Sequence, residues 1–545
     1  MIGVRTFRVR GLPLLALVLS AAASTLRAQV TAGSSTRDLV AVNSEVERYL
    51  RVLQDKGVVP AQSWDLRAFG PRQIDQLLPS TNNHPWAARV ARPARSAIDL
   101  YAFSPEASLI YNSAFPYGYN DGAVWAGRGL TAAVQAGVGG RLGPLSFTFE
   151  PVAFLAQNSS FALMPNGQTG KYIFDEGSNP KTIDQPQRFG DAAYTRVDLG
   201  QTTIRLDFPF IALGASTAND HWGPAIDNPL ILGNNAAGFP HVFAGTSQPV
   251  DIFIGRVQAR LEYGRLTQSQ YAFPSDTEKR RFMSGVVATF SPRGVPGLDI
   301  GGARFFHSTW PDTGLVSHDF LRPFEGLSYV ARQGPNNTIV GIEGDNQLAS
   351  VFFRWVIPRG GFEFYGEFAK DDHNYDTRDL LLEPDHESAY TLGLQRVWTR
   401  SNGDLITLRG EHTDARLNSV TLARLQNVFY VHTFVTQGHT QDGQVLGGPA
   451  VYGGGGSTIE LSQYDRTGRW SVAWVRFGRR QFQIEPEGLP VHDRDDVVHA
   501  LSLERMMIQP RFDWTWGVTA ARELNRNFSF DATNIRLTTG IRYRP

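Results

Sequence analysis

Residues Phe512 to Ala520 read FDWTWGVTA, a stretch in which apolar residues alternate one by one with polar or small ones. Successive side chains of a β-strand point to opposite faces of the sheet, so this order gives one apolar face and one polar face. The run from Ile535 to Tyr543, IRLTTGIRY, repeats the pattern close to the last residue. Both stretches therefore predict strands, and we expect the chain to end inside one.

The same alternation recurs in short runs from about Ser96 onward, for example RVQARLEY at 256–263 and FEFYGEF at 362–368. A soluble β-sandwich also alternates, but it rarely carries so many aromatic residues on one face over so long a segment. A transmembrane barrel accounts for them, because its apolar side chains face lipid while its charged side chains fill the lumen. The sequence therefore predicts an all-β, antiparallel transmembrane barrel over residues 96–545.

The beginning of the chain has a different pattern. Residues 1–28 place three arginines before an apolar run and end in Leu-Arg-Ala, which is the layout of a cleaved secretory signal peptide. After this segment, no apolar run approaches the roughly 20 residues that a membrane-spanning helix needs. We therefore expect an exported protein that is either soluble or a barrel.

Residues 29–95 have the spacing of short helices. Ser44 and Glu47 form a capping box ahead of an amphipathic stretch that Gly57 ends. Pro71 stands where a second helix would begin, and the segment 86–91 could add a third. These signals predict a small helical module before the barrel.

The composition excludes several classes of function. The 52 basic and 52 acidic residues balance, which argues against nucleic acid as a partner. The chain has no cysteine, so disulfides and thiolate metal sites are ruled out. Neither a His-Glu-x-x-His pair nor a Gly-x-Ser-x-Gly elbow occurs. The missing signatures disfavour an enzyme, and a barrel hydrolase with a scattered triad stays as a remoter alternative. We expect no catalytic residues, no metal site and no cofactor.

Two short patterns resemble ligand loops but lack a required residue. Asp372, Asn374, Asp376 and Glu383 have calcium-loop spacing, yet Thr377 stands where that loop needs glycine, so a solvated acidic loop is expected. Gly453 to Gly456 are not followed by the Lys-Ser or Lys-Thr pair of a phosphate-binding loop. A flexible surface loop is expected there.

One loop combines the residue types that bind sugars. Gly214 to Phe243 reads GASTANDHWGPAIDNPLILGNNAAGFPHVF, which is too rich in Gly, Pro and Asn for a strand or a helix. Polysaccharide binding needs flat apolar faces for the rings, and amides or carboxylates for the hydroxyl groups. The candidate polysaccharide-binding residues are Asn219, Asp220, His221, Trp222, Asn228, Asn234, Asn235 and His241.

A structural role for the same loop stays open. The loop can fold into the barrel as a plug, with its Asn side chains bonded to its own backbone and Trp222 packed inside, because buried polar groups must be satisfied first. The arginines of the strand runs also have two interpretations. They can pair with Glu262, Glu363, Glu367 and Glu411 across the lumen, or form a ladder for an anionic glycan. Those arginines are Arg256, Arg260, Arg304, Arg354, Arg396 and Arg409.

The motifs of the 214–243 loop resemble those of the capsule assembly Wzi family of bacterial outer-membrane proteins. They are Trp222-Gly223-Pro224, Leu230-Ile231-Leu232, Asn234-Asn235-Ala236 and Gly238-Phe239-Pro240. Family members often carry a second aromatic residue before the Trp, where this chain has His221. Further similar segments follow in the family's order, at 121–130, 143–145, 150–151, 367–369, 389–394 and 443–447.

This resemblance implies an outer-membrane barrel of about 18 strands with a helical lobe in the periplasm. It also implies a lectin-like, non-catalytic role, in which the protein binds, anchors or organises capsular or other exported polysaccharide at the cell surface. The expected partners are that polysaccharide and outer-membrane lipid, with the polysaccharide export machinery as a further candidate. The alternative function is an outer-membrane porin or diffusion channel. An open lumen would favour the channel, and a plugged lumen would favour binding.

Overall fold

A computed structural model of the chain describes residues 40–90, 98–272, 280–324, 332–333, 339–340, 345–371, 377–417, 426–432, 434–480 and 495–544. The expected signal peptide at 1–28 lies outside the described residues, as do three members of the acidic pattern at 372–376. None of the helices in the described part of the chain combines the length and apolar character that crossing a membrane requires.

The helices are few and short. They are α1 (Glu45–Asp55), α2 (Pro71–Leu77), α3 (Ser317–Leu321) and α4 (Thr377–Leu382), with 3-10 helices at Gly170–Phe174 and Arg322–Phe324. The predicted start of α1 is confirmed, because the Glu47 amide donates to Ser44 Oγ at 3.2 Å. Residues 85–89 form turns instead of the third helix expected there. Trp86 stacks on Tyr49 at 4.3 Å, and the Tyr49 hydroxyl accepts its amide proton, so this contact fixes a turn.

Strands make up most of the described chain. In order they are β1 Ile98–Ala102, β2 Glu106–Asn112, β3 Gly129–Gln135, β4 Val138–Leu142, β5 Leu145–Phe149, β6 Val152–Ala156, β7 Tyr194–Asp198, β8 Thr203–Asp207, β9 Ile211–Ser216, β10 His241–Thr246, β11 Val250–Asp251, β12 Gly255–Thr267, β13 Arg280–Pro292, β14 Leu298–Thr309, β15 Arg332–Gln333, β16 Ile339–Val340, β17 Asp345–Ile357, β18 Phe362–Asp371, β19 Ser388–Thr399, β20 Leu405–Asp414, β21 Thr440–Gln441, β22 Gln444–Val445, β23 Gly454–Asp465, β24 Gly468–Arg480, β25 Asp495–Ile508, β26 Phe512–Arg526 and β27 Phe530–Tyr543.

Twenty-three of these segments belong to one sheet, and its strand pairs are antiparallel. The long strands from β12 to β27 pair with their neighbours in chain order, as hairpins do. Several early strands are broken in two, and β1 and β2 pair with β4 and β3 respectively. The last strand, β27, pairs with β26 on one side and with β2 on the other. The end of the sheet therefore lies beside its beginning.

The two faces of the sheet have opposite chemistry. On β26, Phe512 and Trp514 are 40% and 39% exposed, whereas Asp513 between them is 3% exposed. On β12, the charged residues Arg260 and Glu262 are both buried. Apolar side chains thus cover the outer face and charged ones the inner face, which confirms the order predicted from the alternating runs. Such an arrangement is stable only where the outer face meets an apolar solvent.

Two loops fill the inner side of the sheet. We call residues 217–240 the first interior loop, and the described residues of 415–453 the second interior loop. One buried cluster joins Trp222 and Leu230 of the first loop to Phe429 and Tyr430 of the second. The cluster also includes wall residues such as Phe305. The region inside the sheet is therefore packed protein at this level.

The second loop leads into a strand earlier than expected. β23 begins at Gly454, and Gly453 to Gly456 are all buried, so the predicted flexible surface loop is wrong. These glycines allow close approach of backbones, because a Cβ at Gly454 would lie 2.2 Å from the Gly478 carbonyl oxygen. The run of glycines reflects tight strand packing.

The N-terminal residues also pack on the inner wall. Tyr49, Trp64 and Trp86 share a buried cluster with the strand residues Val397 and Tyr464. Arg51 of α1 pairs with the wall residue Glu363, which Arg354 also contacts at 3.0 Å. The region of α1 and α2 is therefore tied to the sheet by apolar contacts and by buried ion pairs.

Candidate binding site

The first interior loop is held by one carboxylate of the wall. Glu411 on β20 accepts hydrogen bonds from the backbone amides of Ile226, Asp227 and Asn228 at 2.7, 3.0 and 2.7 Å. The Tyr365 hydroxyl donates to the same carboxylate at 2.7 Å. A buried carboxylate with several donors is well satisfied, and the donors cannot leave it without cost. This contact fixes the middle of the loop.

Trp222, at the centre of the predicted sugar site, is fully buried. Its exposed fraction is 0%, and its ring meets that of Phe305 edge-on at 6.1 Å. Its backbone amide donates to the Leu232 carbonyl within the same loop, and it forms a β-bridge with Leu66. Trp222 has no surface on which a sugar ring could stack, and it serves as the core of the loop.

The residue after Trp222 is a glycine because the backbone conformation and the surroundings there exclude a side chain. Gly223 has φ of +89°, in the left-handed region that side chains disfavour. A Cβ there would also lie 2.5 Å from the Glu367 carboxylate. The Trp-Gly-Pro motif therefore marks a turn that passes against the inner wall.

Asp220 and His241 lie in a buried charged cluster with Glu262. The potential ligand atoms of these three residues lie within 4.8 Å of one another. The Arg260 guanidinium stands 2.9 Å from Asp220 Oδ2 and also pairs with Glu262. Burial raises the pKa of Asp220 well above its usual range, against the opposing effect of Arg260. Arg260 already supplies the positive charge that such a cluster would otherwise take from a metal ion.

His221 and Asn228 are buried as well, and both hold the loop. Arg67 donates to His221 Nε2 and to the Ala225 carbonyl. Burial, and then Arg67, hold the pKa of His221 well below its usual range. Asn228 Oδ1 accepts the amide proton of Ala450 at 3.1 Å, which joins the two interior loops. Both polar side chains therefore satisfy internal partners.

The remaining three candidates are half-buried asparagines. Asn219 Nδ2 donates to the Ala236 carbonyl at 2.9 Å, and Asn234 Nδ2 donates to the Asn120 carbonyl at 2.8 Å. Asn235 turns toward the second interior loop, where it donates to the Val445 carbonyl at 3.1 Å. Asn219 and Asn234 border a cavity, and Asn235 does not.

The cavity has a volume of about 310 Å³ and lies between the first interior loop, the residues before α1 and the inner wall of the early strands. Pockets that bind small molecules start at about 300 Å³. Nearly all of its polar lining consists of amides, hydroxyls and carboxylates. The polar residues that line it are Asn43, Ser44, Ser104, Glu106, Asn120, Asp121, Gln135, Glu150, Asp198, Gln201, Asn219, Asn234 and Arg542.

Three of the six expected arginines form ion pairs, as one of the two interpretations expected. Arg354 contacts Glu363 at 3.0 Å, and Arg260 contacts Glu262. Arg409 pairs with Glu460 at 2.7 Å and with Asp227 of the first interior loop. The expected partners Glu367 and Glu411 instead accept from backbone amides of that loop. Three arginines differ. Arg256 donates to the Ala61 carbonyl at 3.3 Å. Arg304 donates to the Gln347 side chain at 2.5 Å, and Arg396 lies on the outer face over the ring of Phe362 at 4.7 Å.

Comparison with known families gives a match across most of this region. The model of the family described as capsule assembly protein Wzi matches residues 119–463, which include both interior loops. The chain belongs to this family. The family membership confirms the resemblance seen in the loop motifs, and it agrees with the outer-membrane localisation expected from the sequence. A comparison with curated proteins found no match.

Solved structures give the fold of this family. The chain is similar to Wzi of Escherichia coli, described as an outer-membrane, carbohydrate-binding β-barrel involved in group 1 capsule assembly. The TM-score is 0.60 at 15% identity, over 93% of this chain and 99% of that one. OccK8 (OprE) of Pseudomonas aeruginosa gives a TM-score of 0.38 at 9% identity, over 81% of this chain and 97% of that one. OprD of the same organism gives 0.36 at 11%, over 81% and 92%. These two barrels are distant structural matches only.

Sequence patterns did not point to most of the cavity residues. Glu106 lies on β2, Gln135 on β3 and Glu150 between β5 and β6, and Arg542 comes from the last strand. Their common signal is a polar residue on the inward face, which many lumen positions in barrels share. The composition of the 214–243 loop identified Asn219 and Asn234, because that signal is local.

Proposed function

We propose that this protein is a non-catalytic outer-membrane barrel that binds or organises capsular or other exported polysaccharide at the cell surface. The observation that carries the proposal is the family match over residues 119–463, within a fold similar to that of Wzi of Escherichia coli. That protein is described as binding carbohydrate and as taking part in capsule assembly. The export machinery is proposed as a further partner.

We propose further that the sheet closes into a barrel of about 18 strands. The pairing of β27 with β2 supports closure, because closed barrels have no free edge in lipid. Five pairs of segments continue one another, namely β1 with β2, β3 with β4, β5 with β6, β7 with β8, and β10 with β11. If each pair counts as one strand, the 23 segments make 18.

The proposed division of the chain is a signal peptide at 1–28, a periplasmic helical module at 29–95 and the barrel at 96–545. The position of α1 and α2 supports the periplasmic side for the module. Their contacts involve Val397, Leu405 and Tyr464, which lie beside short turns at 400–404 and 466–467. Short turns face the periplasm in outer-membrane barrels.

Of the eight candidate residues, we propose that Asn219 and Asn234 contact the glycan, because both border the cavity. Asp220, His221, Trp222, Asn228 and His241 hold the first interior loop in place. Asn235 joins the two loops. The packed loops also favour binding over a diffusion channel, because they leave little of the interior open at their level.

Retention of polysaccharide on cells tests the proposed function. Cells that lack the gene should release their exported polysaccharide into the medium, and a plasmid copy should restore surface retention. The purified protein should also bind the isolated polysaccharide in a pull-down, while an unrelated barrel of similar size should not. Full retention without the gene, together with no binding by the purified protein, would refute the proposal.

A further inference from the structure

The polar cavity beside the first interior loop has the features of a binding site. Its volume of about 310 Å³ is far more than the share of about 30 Å³ that one water molecule takes in the liquid. Side chains of four separate regions meet at it: the residues before α1, the early strands, the segment 120–124 and the first interior loop. The cavity is therefore a built space between packed elements, large enough for a sugar unit.

The polar groups of its wall are accessible although they point inward. The side chains of Glu106, Asp121 and Arg542 are 35%, 31% and 32% exposed. Glu106 and Arg542 lie opposite each other on β2 and β27, on the face that carries the buried residues. Their exposed surface therefore borders the cavity. Carboxylates accept hydrogen bonds, and amides such as Gln135 both donate and accept, which suits vicinal hydroxyls.

The charges of the lining select against an acidic ligand. Arg542 is the only basic side chain among the described residues that line the cavity, and Glu106 pairs with it at 2.6 Å. Asp121 pairs with Arg536 at 2.9 Å. Glu150 makes no ion pair within the described part of the chain. A uronic acid would thus find no free cation among the described lining residues to offset the cost of burying its carboxylate.

We propose that this cavity binds an uncharged sugar unit, a neutral hexose or an N-acetylhexosamine, and disfavours uronic acids. The proposal rests on the proposed polysaccharide-binding function and adds the chemical class of the sugar and the place where it binds. Gln135, Asn219 and Asn234 supply the amides, and Glu106 and Glu150 accept from the sugar hydroxyls. The cost of burying a carboxylate without a cation partner provides the discrimination against acidic sugars.

Titration of short sugars into the purified full-length protein in detergent tests this inference. The probes are neutral disaccharides built from glucose, galactose, mannose or N-acetylglucosamine, with digalacturonic acid as the acidic counterpart. At least one neutral probe should bind more than tenfold more tightly than the acidic one. Gln135→Leu should weaken that binding about fivefold, the effect of one lost hydrogen bond. The matched control is Gln463→Leu, since Gln463 on β23 does not line the cavity and donates to Asp404 in a turn at 3.0 Å, so this variant should bind as the wild type does.

A second variant tests the charge. Glu106→Gln keeps the shape and frees Arg542 from its ion pair, which makes a cation available to an acidic sugar. This variant should narrow the preference for neutral over acidic probes several-fold. Heat-modifiable migration of each variant reports that the barrel is folded. The inference is overturned if no neutral probe binds, if digalacturonic acid binds equally well, or if Gln135→Leu and Gln463→Leu behave alike. Polysaccharide binding of unchanged affinity in Gln135→Leu would overturn this inference alone, whereas disaccharide binding without polysaccharide retention would overturn the proposed function alone.

Discussion

The burial of Trp222 distinguishes between the two roles that its loop could have, a sugar-binding site and a structural plug. A tryptophan that stacks on a sugar and a tryptophan that fills a core have the same sequence signature, so the composition of the loop left both open. Its burial against Phe305, and the bridge to Leu66, favour the structural role. The loop motif therefore pointed to a segment that packs against the inner face of the sheet. Whether each of its residues is buried decides the role of that residue, and no local sequence pattern encodes burial.

Replacing Trp222 by Ala should destabilise the protein and leave polysaccharide binding to the folded fraction intact. Removing a buried Trp leaves a cavity and typically costs about 3–5 kcal/mol. Urea unfolding in micelles and heat-modifiable migration measure the loss, with Trp222→Phe as the milder control. A variant of unchanged stability that releases polysaccharide would instead make Trp222 a sugar contact.

His439 in the second interior loop gives a pH-dependent stability. Its Nε2 donates to the Ile231 carbonyl at 2.7 Å, and burial lowers its pKa to about 3. The folded state therefore keeps His439 neutral, while the unfolded state takes up a proton below about pH 6.5. Stability is thus lost as the pH falls from 6.5 toward 3.

We expect His439→Gln to lose less stability than the wild type between pH 6.5 and pH 4. The difference in slope should be about 1.4 kcal/mol per pH unit, the value for one proton. Urea midpoints at several pH values provide the measurement. Other groups change stability in the opposite direction as the pH falls, such as Asp184, whose pKa burial raises to about 6. Their effect is the same in both proteins, so it cancels in the comparison. Parallel slopes would contradict the neutral buried state.

Among the secondary-structure elements, the strands were the most predictable from sequence. Period-two alternation placed β12, β18, β26 and β27, because a half-buried strand imposes that period on its residues. The helix start at Ser44 was equally predictable, since a cap is a local contact. The glycines at the start of β23 were misjudged, because close packing of strands and loop flexibility both select glycine.

The cavity could not be predicted from any one element. The wall of the cavity forms only when β2 and β27 pair in the observed register and the first interior loop has folded. Both are tertiary properties. Asn219 and Asn234 were found only because the composition of the 214–243 loop pointed to them.

Glu411 should control how firmly the first interior loop fills the lumen. Glu411→Ala removes the acceptor of three backbone amides, which then lack partners. In planar bilayers the wild type should conduct little, and the variant should show frequent openings. The control is Glu523→Ala, because Glu523 also points inward but pairs with Arg526 at 2.5 Å and touches no interior loop. Equal conductance of the two variants would show that Glu411 does not hold the plug.

At the scale of the whole molecule, the exposed apolar face defines the surroundings of the protein. Leu461 lies on that face of β23 and is half exposed. An Arg at such a position lowers the free energy of unfolding by about 2–4 kcal/mol if the face meets the bilayer midplane. It hardly changes that free energy if the face meets water.

Leu461→Arg should therefore lower stability in lipid by about 2–4 kcal/mol, while Leu461→Phe should be nearly neutral. Urea unfolding from liposomes measures both. Membrane fractionation should show less folded Leu461→Arg protein in the outer membrane. If the Arg variant equals the wild type in both assays, this face does not contact lipid.

The contact between Glu106 and Arg542 spans 436 positions of the chain. The seam between β2 and β27 can therefore form only when almost the whole chain has been delivered. If the sheet closes as proposed, we expect the first interior loop to take its place before β2 and β27 pair, because Glu411 and the second interior loop hold it from the middle of the sequence. The fold then favours an order of assembly in which the interior loops pack first and the last strand pair closes around them.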